Sequence, residues 1–500
     1  MDQLRLAGEP PVVEATPDDV DAAARAATAA FDSQRDGPTF DSSELLASCA
    51  DELDGIGEQI IAVADEETGL GIERLTSELG RTTGQLRAFA ALVRSGEHLE
   101  AILDRGAPDG PYAVDMRRMN VPIGPVAVWA ASNFPLAFSV AGGDTASAFA
   151  AGCPVVVKAH PAHWRTSRLA TGAVERAVRR AGAPDGWFAT VHATAHERGR
   201  ELATHPGIRS LAFTGSARGG RALWDAAAAR PDPIPVFAEM GSLNPVVLTE
   251  AALRERADEI SVGLASSLTM GAGQFCTKPG LVLVTDSDTT DRFLGLLAGA
   301  VEAQPGRDLL YPALAEAFRE RVGETLRADD VTVLAAGGAG HGRHQGAWLV
   351  RISGTAFLRQ HAELAEEHFG PFGMVVVCAD RDELEAIIEV LPGTLTATMH
   401  AGRDEALYAG SIVRRLAGKA GRVVQNGWPT GVQVGWATVH GGPWPATTAS
   451  ASTSVGLTAV RRFQRPVAYQ SLAHELLPAA LQDANPLGIS RIVDGERRMP

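Results

Sequence analysis

The chain has 500 residues, 45% hydrophobic and 21% charged, which is the texture of a folded protein with more than one domain and not of a disordered one. Lys and Arg number 45 against 60 Asp and Glu, a net charge of −15, so no overall basic field exists to recruit nucleic acid or an anionic membrane. Cys49, Cys153, Cys276 and Cys378 show no CxxC spacing, so neither a disulfide framework nor a cysteine zinc site is expected. The opening MDQLRLAGEPPVVEATPDDV has no basic stretch followed by an apolar one, and no apolar run reaches about 18 residues. A cytoplasmic protein without a leader or a membrane span is expected.

The first predicted element is a helix. Thr16 caps it, Pro17 fits its first turn, Asp18 and Asp19 suit its positive end, and the Ala-rich stretch to Phe31 propagates it. Residues 41–103 are mostly helical by pattern. YAVDMRRMNV, bounded by Pro111 and Pro122, is expected to project as a strand or hairpin. PVAVWA (125–130), PVVVKA (154–159) and Ile208–Phe213 are short apolar runs. In Arg165–Ala181, residues Ala170, Ala173, Val174, Ala177, Val178 and Ala181 recur at helical spacing. Strands alternating with helices imply a parallel sheet covered on both faces. The pattern repeats after Pro235 with PVVLT, LVLVT (281–285), MVVVC (374–378) and RVVQN (422–426), and a helix over 251–268. Two doubly wound α/β domains with a switch near 236 follow from this. The Gly- and His-rich stretch 335–346 reads as a surface loop. PVAYQ, after Phe463, reads as a strand able to extend a neighbouring subunit's sheet, with a short helix after it.

Several residues carry chemistry. Cys276 lies in Gly-Ala-Gly-Gln-Phe-Cys-Thr, where Gly271 and Gly273 permit a sharp turn that presents a thiol. A thiolate is a strong nucleophile toward carbonyl carbon. On context alone the alternative of a buried, inert thiol stays open, and the other three cysteines take that reading. Asn133, in Ser-Asn-Phe-Pro after a strand, can donate to an oxyanion or serve only as a turn residue. Glu239, in Phe-Ala-Glu-Met-Gly, is either a partly desolvated general base or a solvent-facing loop carboxylate. Lys158 ends a strand at the edge where open α/β sheets bind ligands. Phe-Thr-Gly-Ser (213–216) leads into a helix whose amides suit a pyrophosphate, although no GxGxxG is present. His341 and His344 lack a third ligand, so no metal is expected. Arg461 and Arg462 read as a solvated or inter-subunit pair.

ATPDDVDAA, SNFP, PVVVKAHPAH, FTGS, FAEMGSLNP, GAGQFCTKPG, EEHFGPFG and NGWPTGV…HGGPWPATT, in this order and separation, resemble the NAD(P)-dependent aldehyde dehydrogenase superfamily across nearly the whole chain. KAHPAH, EMGSLNP and HGGPWPATT are most similar to its 2,5-dioxovalerate (α-ketoglutaric semialdehyde) dehydrogenases; NADP-linked medium- and long-chain aldehyde dehydrogenases share much of that pattern. The resemblance implies a cofactor-binding domain over 1–107 and 123–235, a catalytic domain over 236–455, and an oligomerisation hairpin and arm at 108–122 and 456–500. It implies a homodimer or homotetramer acting on a small aldehyde. It assigns Cys276 as nucleophile, Glu239 as general base and Asn133 as oxyanion donor. Lys158 falls on the adenosine ribose position, Gly215 and Ser216 on the pyrophosphate turn, Glu367 on the nicotinamide ribose, and Phe369 beside it.

Two departures stand out. Most members carry Lys-Pro-x-Glu where this chain has Lys158-Ala159-His160-Pro161. Loss of that carboxylate favours NADP over NAD, with His160 or Arg198 as partner for the 2′-phosphate. His440, in His-Gly-Gly-Pro, replaces a Gly-Gly-Phe-Lys stretch and either assists proton transfer or is a turn residue. Coenzyme A-acylating relatives generally lack the Glu239 equivalent, which favours hydrolysis. A non-catalytic binding protein and a cofactor-independent thiol esterase are the remaining alternatives. Phe134, Trp164, Phe275 and Trp436 are candidates to line the pocket.

Overall fold

The computed structural model describes residues 13–35, 37–106, 113–337 and 340–499. The leader expectation, part of the 108–122 hairpin and two residues of the 335–346 loop therefore lie outside the described residues. The first helix, Pro17–Asp32, begins as its sequence dictates. Thr16 Oγ1 accepts the Asp19 amide at 3.2 Å, and the Asp19 carboxylate accepts the Thr16 amide at 2.8 Å. Ser42–Gly55, Gly57–Thr68 and Ile72–Ser95 follow as helices.

A five-stranded, all-parallel sheet orders its strands as Phe188–His192, Val155–Ala159, Val126–Trp129, Ser210–Thr214 and Val236–Glu239. The helix Trp164–Arg180 covers it with Ala170, Ala173, Val174, Ala177 and Val178, the residues that the spacing selects. The strand order reverses between Val126–Trp129 and Ser210–Thr214, so the loops leaving their carboxyl ends open into a crevice at a topological switch point. Asn133 lies on one of those loops and Gly215–Ser216 on the other.

A seven-stranded sheet runs Thr332–Ala336, Trp348–Ser353, Phe372–Cys378, Leu281–Thr285, Pro245–Leu248, Thr394–His400 and Ala420–Gln425. It is parallel except for the first pair. Val236–Glu239 pairs within the first sheet, so the chain crosses to the second only after Glu239 and not at 236. Thr332–Ala336 likewise takes the start of the expected 335–346 loop into a strand. A third sheet joins Gln464–Gln470, Met116–Pro122, Ile102–Asp104, Arg491–Val493 and Glu496–Arg498. Gln464–Gln470 pairs antiparallel with Met116–Pro122 of its own chain. The tail beyond it forms two short 3-10 turns, His474–Leu476 and Ala479–Leu481, in place of the expected helix.

Candidate active site

Cys276 follows a tight turn. Gly271, Ala272 and Gly273 have φ of +57°, +58° and +68°, a left-handed run that glycine tolerates and alanine resists. At Gly273 a Cβ would also lie 2.3 Å from the Gly370 carbonyl carbon, so only glycine lets the segment after Glu367 close on this turn. Asn244 Nδ2 donates to the Cys276 carbonyl at 2.8 Å and to that of Lys278 at 2.9 Å, fixing the turn from below. The thiol is half-buried, whereas Cys49, Cys153 and Cys378 are buried, and burial pushes the thiols of Cys49 and Cys153 up to about 12.

Cys276 Sγ lies 3.3 Å from His440 Nε2, and His440 Nδ1 lies 2.8 Å from the Glu239 carboxylate. His440 is therefore a bridge between the two and not a turn residue. The segment carrying it docks on the edge strand Val236–Glu239. The Met240 amide donates to the Ala446 carbonyl at 2.8 Å, and the Ala238 amide to Thr448 Oγ1 at 2.9 Å. The His440 amide donates to Thr453 Oγ1 at 2.8 Å. Burial disfavours the imidazolium, but the charges of Glu239 and Cys276, with their hydrogen bonds, overcome it and raise the His440 pKa to about 10. Glu239 is buried at the end of its strand, not solvent-facing in a loop.

A cavity of about 700 Å³ opens onto Cys276 and His440, and its wall includes Arg74, Arg81, Phe134, Phe138 and Phe275. Glu239 stands behind His440 and is not among the lining residues. Asn133 is buried beside the turn, its Nδ2 donating to the Gln274 carbonyl at 2.8 Å. Phe134 and Phe275 meet edge-to-face at 5.3 Å on the wall. Trp164 and Trp436 do not line it. Trp164 is buried in the core, and Trp436 is exposed beside a separate cavity.

Of the expected cofactor residues, Lys158, His160, Gly215 and Ser216 lie at the carboxyl edge of the first sheet, whereas Glu367 and Phe369 precede Phe372–Cys378 of the second. Ser216 caps the helix Ala217–Ala228, its Oγ accepting the Gly219 amide at 3.2 Å, and Gly215 packs over the Phe213 ring. Thr214 Oγ1 is buried with no hydrogen-bond partner among the described residues. Lys158 is half-buried, and burial lowers its ammonium to about 8. An unsatisfied hydroxyl, an exposed helix start and an amine at one sheet edge fit a nucleotide.

His160 does not fit the role of phosphate cation. Its Nδ1 accepts the Ala162 amide at 3.1 Å, and burial, with His163 and Lys158 nearby, pushes its pKa well below the usual range, so it is neutral. Arg198 pairs with Glu201 at 3.0 Å. Glu367 accepts from the Ser242 amide, and its carboxylate packs where a Cβ on Gly241 would meet it at 2.7 Å. Burial pushes its carboxyl up to about 7 against the pull of Lys278. Phe369 is half-buried two residues on. Arg462 is neither solvated nor a contact between subunits. It is buried and pairs with Asp144 at 2.8 Å, while Arg461 pairs with Glu100.

Sequence reasoning missed Arg74, Glu78, Arg81 and Lys278. The first three recur at i, i+4 and i+7 on the helix Ile72–Ser95, and that polar stripe was the available signal.

The family model described as "Aldehyde dehydrogenase family" matches residues 11–443. The chain is 47% identical over 482 residues to alpha-ketoglutaric semialdehyde dehydrogenase 2 of Azospirillum brasilense, covering 96% of this chain and 91% of that one. It is 41% identical over 485 residues to alpha-ketoglutaric semialdehyde dehydrogenase of Acinetobacter baylyi, covering 96% and 92%. Among solved structures, proline utilization A of Bradyrhizobium japonicum (mutant D779W) superposes with a TM-score of 0.78 at 23% identity, over 92% of this chain. The chain spans only 45% of that longer protein, and the likeness shows the fold alone.

Proposed function

The chain belongs to the aldehyde dehydrogenase family, and on that footing we propose that it oxidises 2,5-dioxovalerate to 2-oxoglutarate. The contact that carries this reading is the Cys276–His440–Glu239 series opening on one cavity. Cys276 Sγ attacks the aldehyde carbon with its proton already resting on the adjacent His440 ring, whose imidazolium form the Glu239 carboxylate stabilises. The new oxyanion is held by the Asn133 amide and the Cys276 backbone N–H. The family uses a nicotinamide cofactor, which supplies the acceptor for the hydride that leaves the thiohemiacetal as the thioester forms. Water then attacks the thioester carbon. Glu239 takes its proton through the His440 ring, the carboxylate product leaves, and the thiolate returns to Cys276. Between Glu239 and the cavity stands an imidazole, so the glutamate acts by setting the charge and tautomer of His440 as well as by accepting a proton.

Lys158, Thr214, Gly215, Ser216, Glu367 and Phe369 hold the cofactor. NADP is preferred over NAD, a reading supported by the run Lys158-Ala159-His160-Pro161, which carries no carboxylate to repel a 2′-phosphate, with Lys158 or Arg198 as the cation that pairs with it. The third sheet exposes the outer edges of Gln464–Gln470 and Glu496–Arg498, which supports assembly into a homodimer or homotetramer.

The test is kcat/KM for 2,5-dioxovalerate, succinic semialdehyde and decanal, each with NADP and NAD. The expected order places 2,5-dioxovalerate with NADP first, and Cys276→Ala lowers kcat at least about a thousandfold. A preference for decanal, or full activity in Cys276→Ala, defeats the reading.

A further inference from the structure

Arg74, Glu78 and Arg81 lie along one side of the cavity that holds Cys276 and His440. The Arg74 guanidinium is 4.9 Å from the ring centres of both Phe134 and Phe275, and that of Arg81 is 5.0 Å from Phe138. The rings orient the two forks and shield them from water, but they supply no in-plane acceptor. Arg74 Nη1 and Arg81 Nε are buried without a hydrogen-bond partner among the described residues.

Glu78 does not satisfy both. Its Oε1 accepts the Leu136 and Ala137 amides at 2.8 and 3.0 Å, and its Oε2 is 3.8 Å from Arg74. Burial also pushes the Glu78 carboxyl up, which weakens it as a counter-charge. Buried cationic donors without partners are costly unless an anion completes them, and the guanidinium fork matches a carboxylate. Arg81 is close enough to Cys276 and Glu239 to feel their charges, so the anion belongs to whatever occupies the thiol's own cavity. Gly215 and Ser216 do not line that cavity, which separates this anion from a cofactor phosphate.

We infer that Arg74 and Arg81 form a carboxylate clamp that selects aldehydes bearing an acid group at the end remote from Cys276, an inference that rests on the aldehyde-oxidation reading above. Arg74 Nη2 is held by the Asn133 carbonyl at 2.6 Å, but a neutral aldehyde leaves Arg74 Nη1 and Arg81 Nε without an acceptor and loses the orientation that the clamp provides.

The first measurement is the ratio of kcat/KM for 2,5-dioxovalerate to that for pentanal, with NADP, in wild type, Arg74→Gln, Arg81→Gln and Arg81→Lys. The ratio falls at least about thirtyfold in each Gln variant, mainly through KM. Arg81→Lys recovers part of the loss, since an ammonium offers a point charge without the fork. An unchanged ratio, or equal losses on both aldehydes, overturns the clamp. The second is calorimetric binding of glutarate, a redox-inert diacid, to Cys276→Ala enzyme. Adding Arg74→Gln or Arg81→Gln weakens binding at least about tenfold. Unweakened binding, or no binding before the arginines are changed, overturns it. If wild type oxidises no aldehyde while glutarate binding still depends on both arginines, the oxidation reading fails and the clamp stands.

Discussion

At His440, burial and charge pull in opposite directions, and charge prevails. The folded chain holds this proton up to about pH 10 where a free histidine holds it to 6.5. A raised folded value means that the stabilisation is complete below about pH 6.5 and is lost as pH climbs toward 10. In Glu239→Gln the carboxylate is gone and burial dominates, so this loss disappears. Urea midpoints at pH 7 and pH 9.5 should fall further in wild type than in Glu239→Gln. Equal falls would show that the imidazolium–carboxylate pair is not present. The turn that presents Cys276 was legible in the sequence because a glycine-rich turn announces itself locally. The position of His440 between Cys276 and Glu239 was not, since it depends on contacts between residues 164 and 201 positions apart. The same limit hid the neutrality of His160, which follows from its neighbours and not from its residue type.

Among the elements, the helix Gly143–Ala150 and the 3-10 segment Leu457–Phe463 are joined by the buried pair of Asp144 and Arg462. Arg462 Nη2 also donates to Ser147 Oγ at 3.1 Å. Removing one partner strands the other charge in the core, so Arg462→Ala should cost about 3–5 kcal/mol. Asp144→Leu with Arg462→Met should recover most of it, as read by denaturant unfolding. A loss below about 1 kcal/mol in Arg462→Ala would mean that the pair is hydrated. The sequence presents Arg461 and Arg462 as a surface doublet, because nothing local marks one of two adjacent arginines as buried. Strands such as Val155–Ala159 and Leu281–Thr285 read directly as apolar runs. Trp348–Ser353 and Thr394–His400 escaped notice because Arg351 and alternate threonines dilute the same signal, although the second lies wholly buried between two neighbours.

For the whole molecule, the two-sheet architecture was legible from the alternation of strands and helices, while the crossing point was not. Val236–Glu239 looks like a start of the second unit and pairs with the first. Its free side is then covered by the chain around Ala446–Thr448. This arrangement has a consequence in time. Synthesis delivers the N-terminal sheet long before the segment that seals it, so the nascent chain carries an open strand edge until the stretch around Ala446–Thr448 has emerged. A chain terminated after residue 435 should partition to the insoluble fraction, and a co-expressed peptide spanning 436–456 should return part of it to solution. His440 thus rides on a late-arriving segment, so a protein still being made holds the Cys276 thiol without the imidazole that lies 3.3 Å from it in the finished fold.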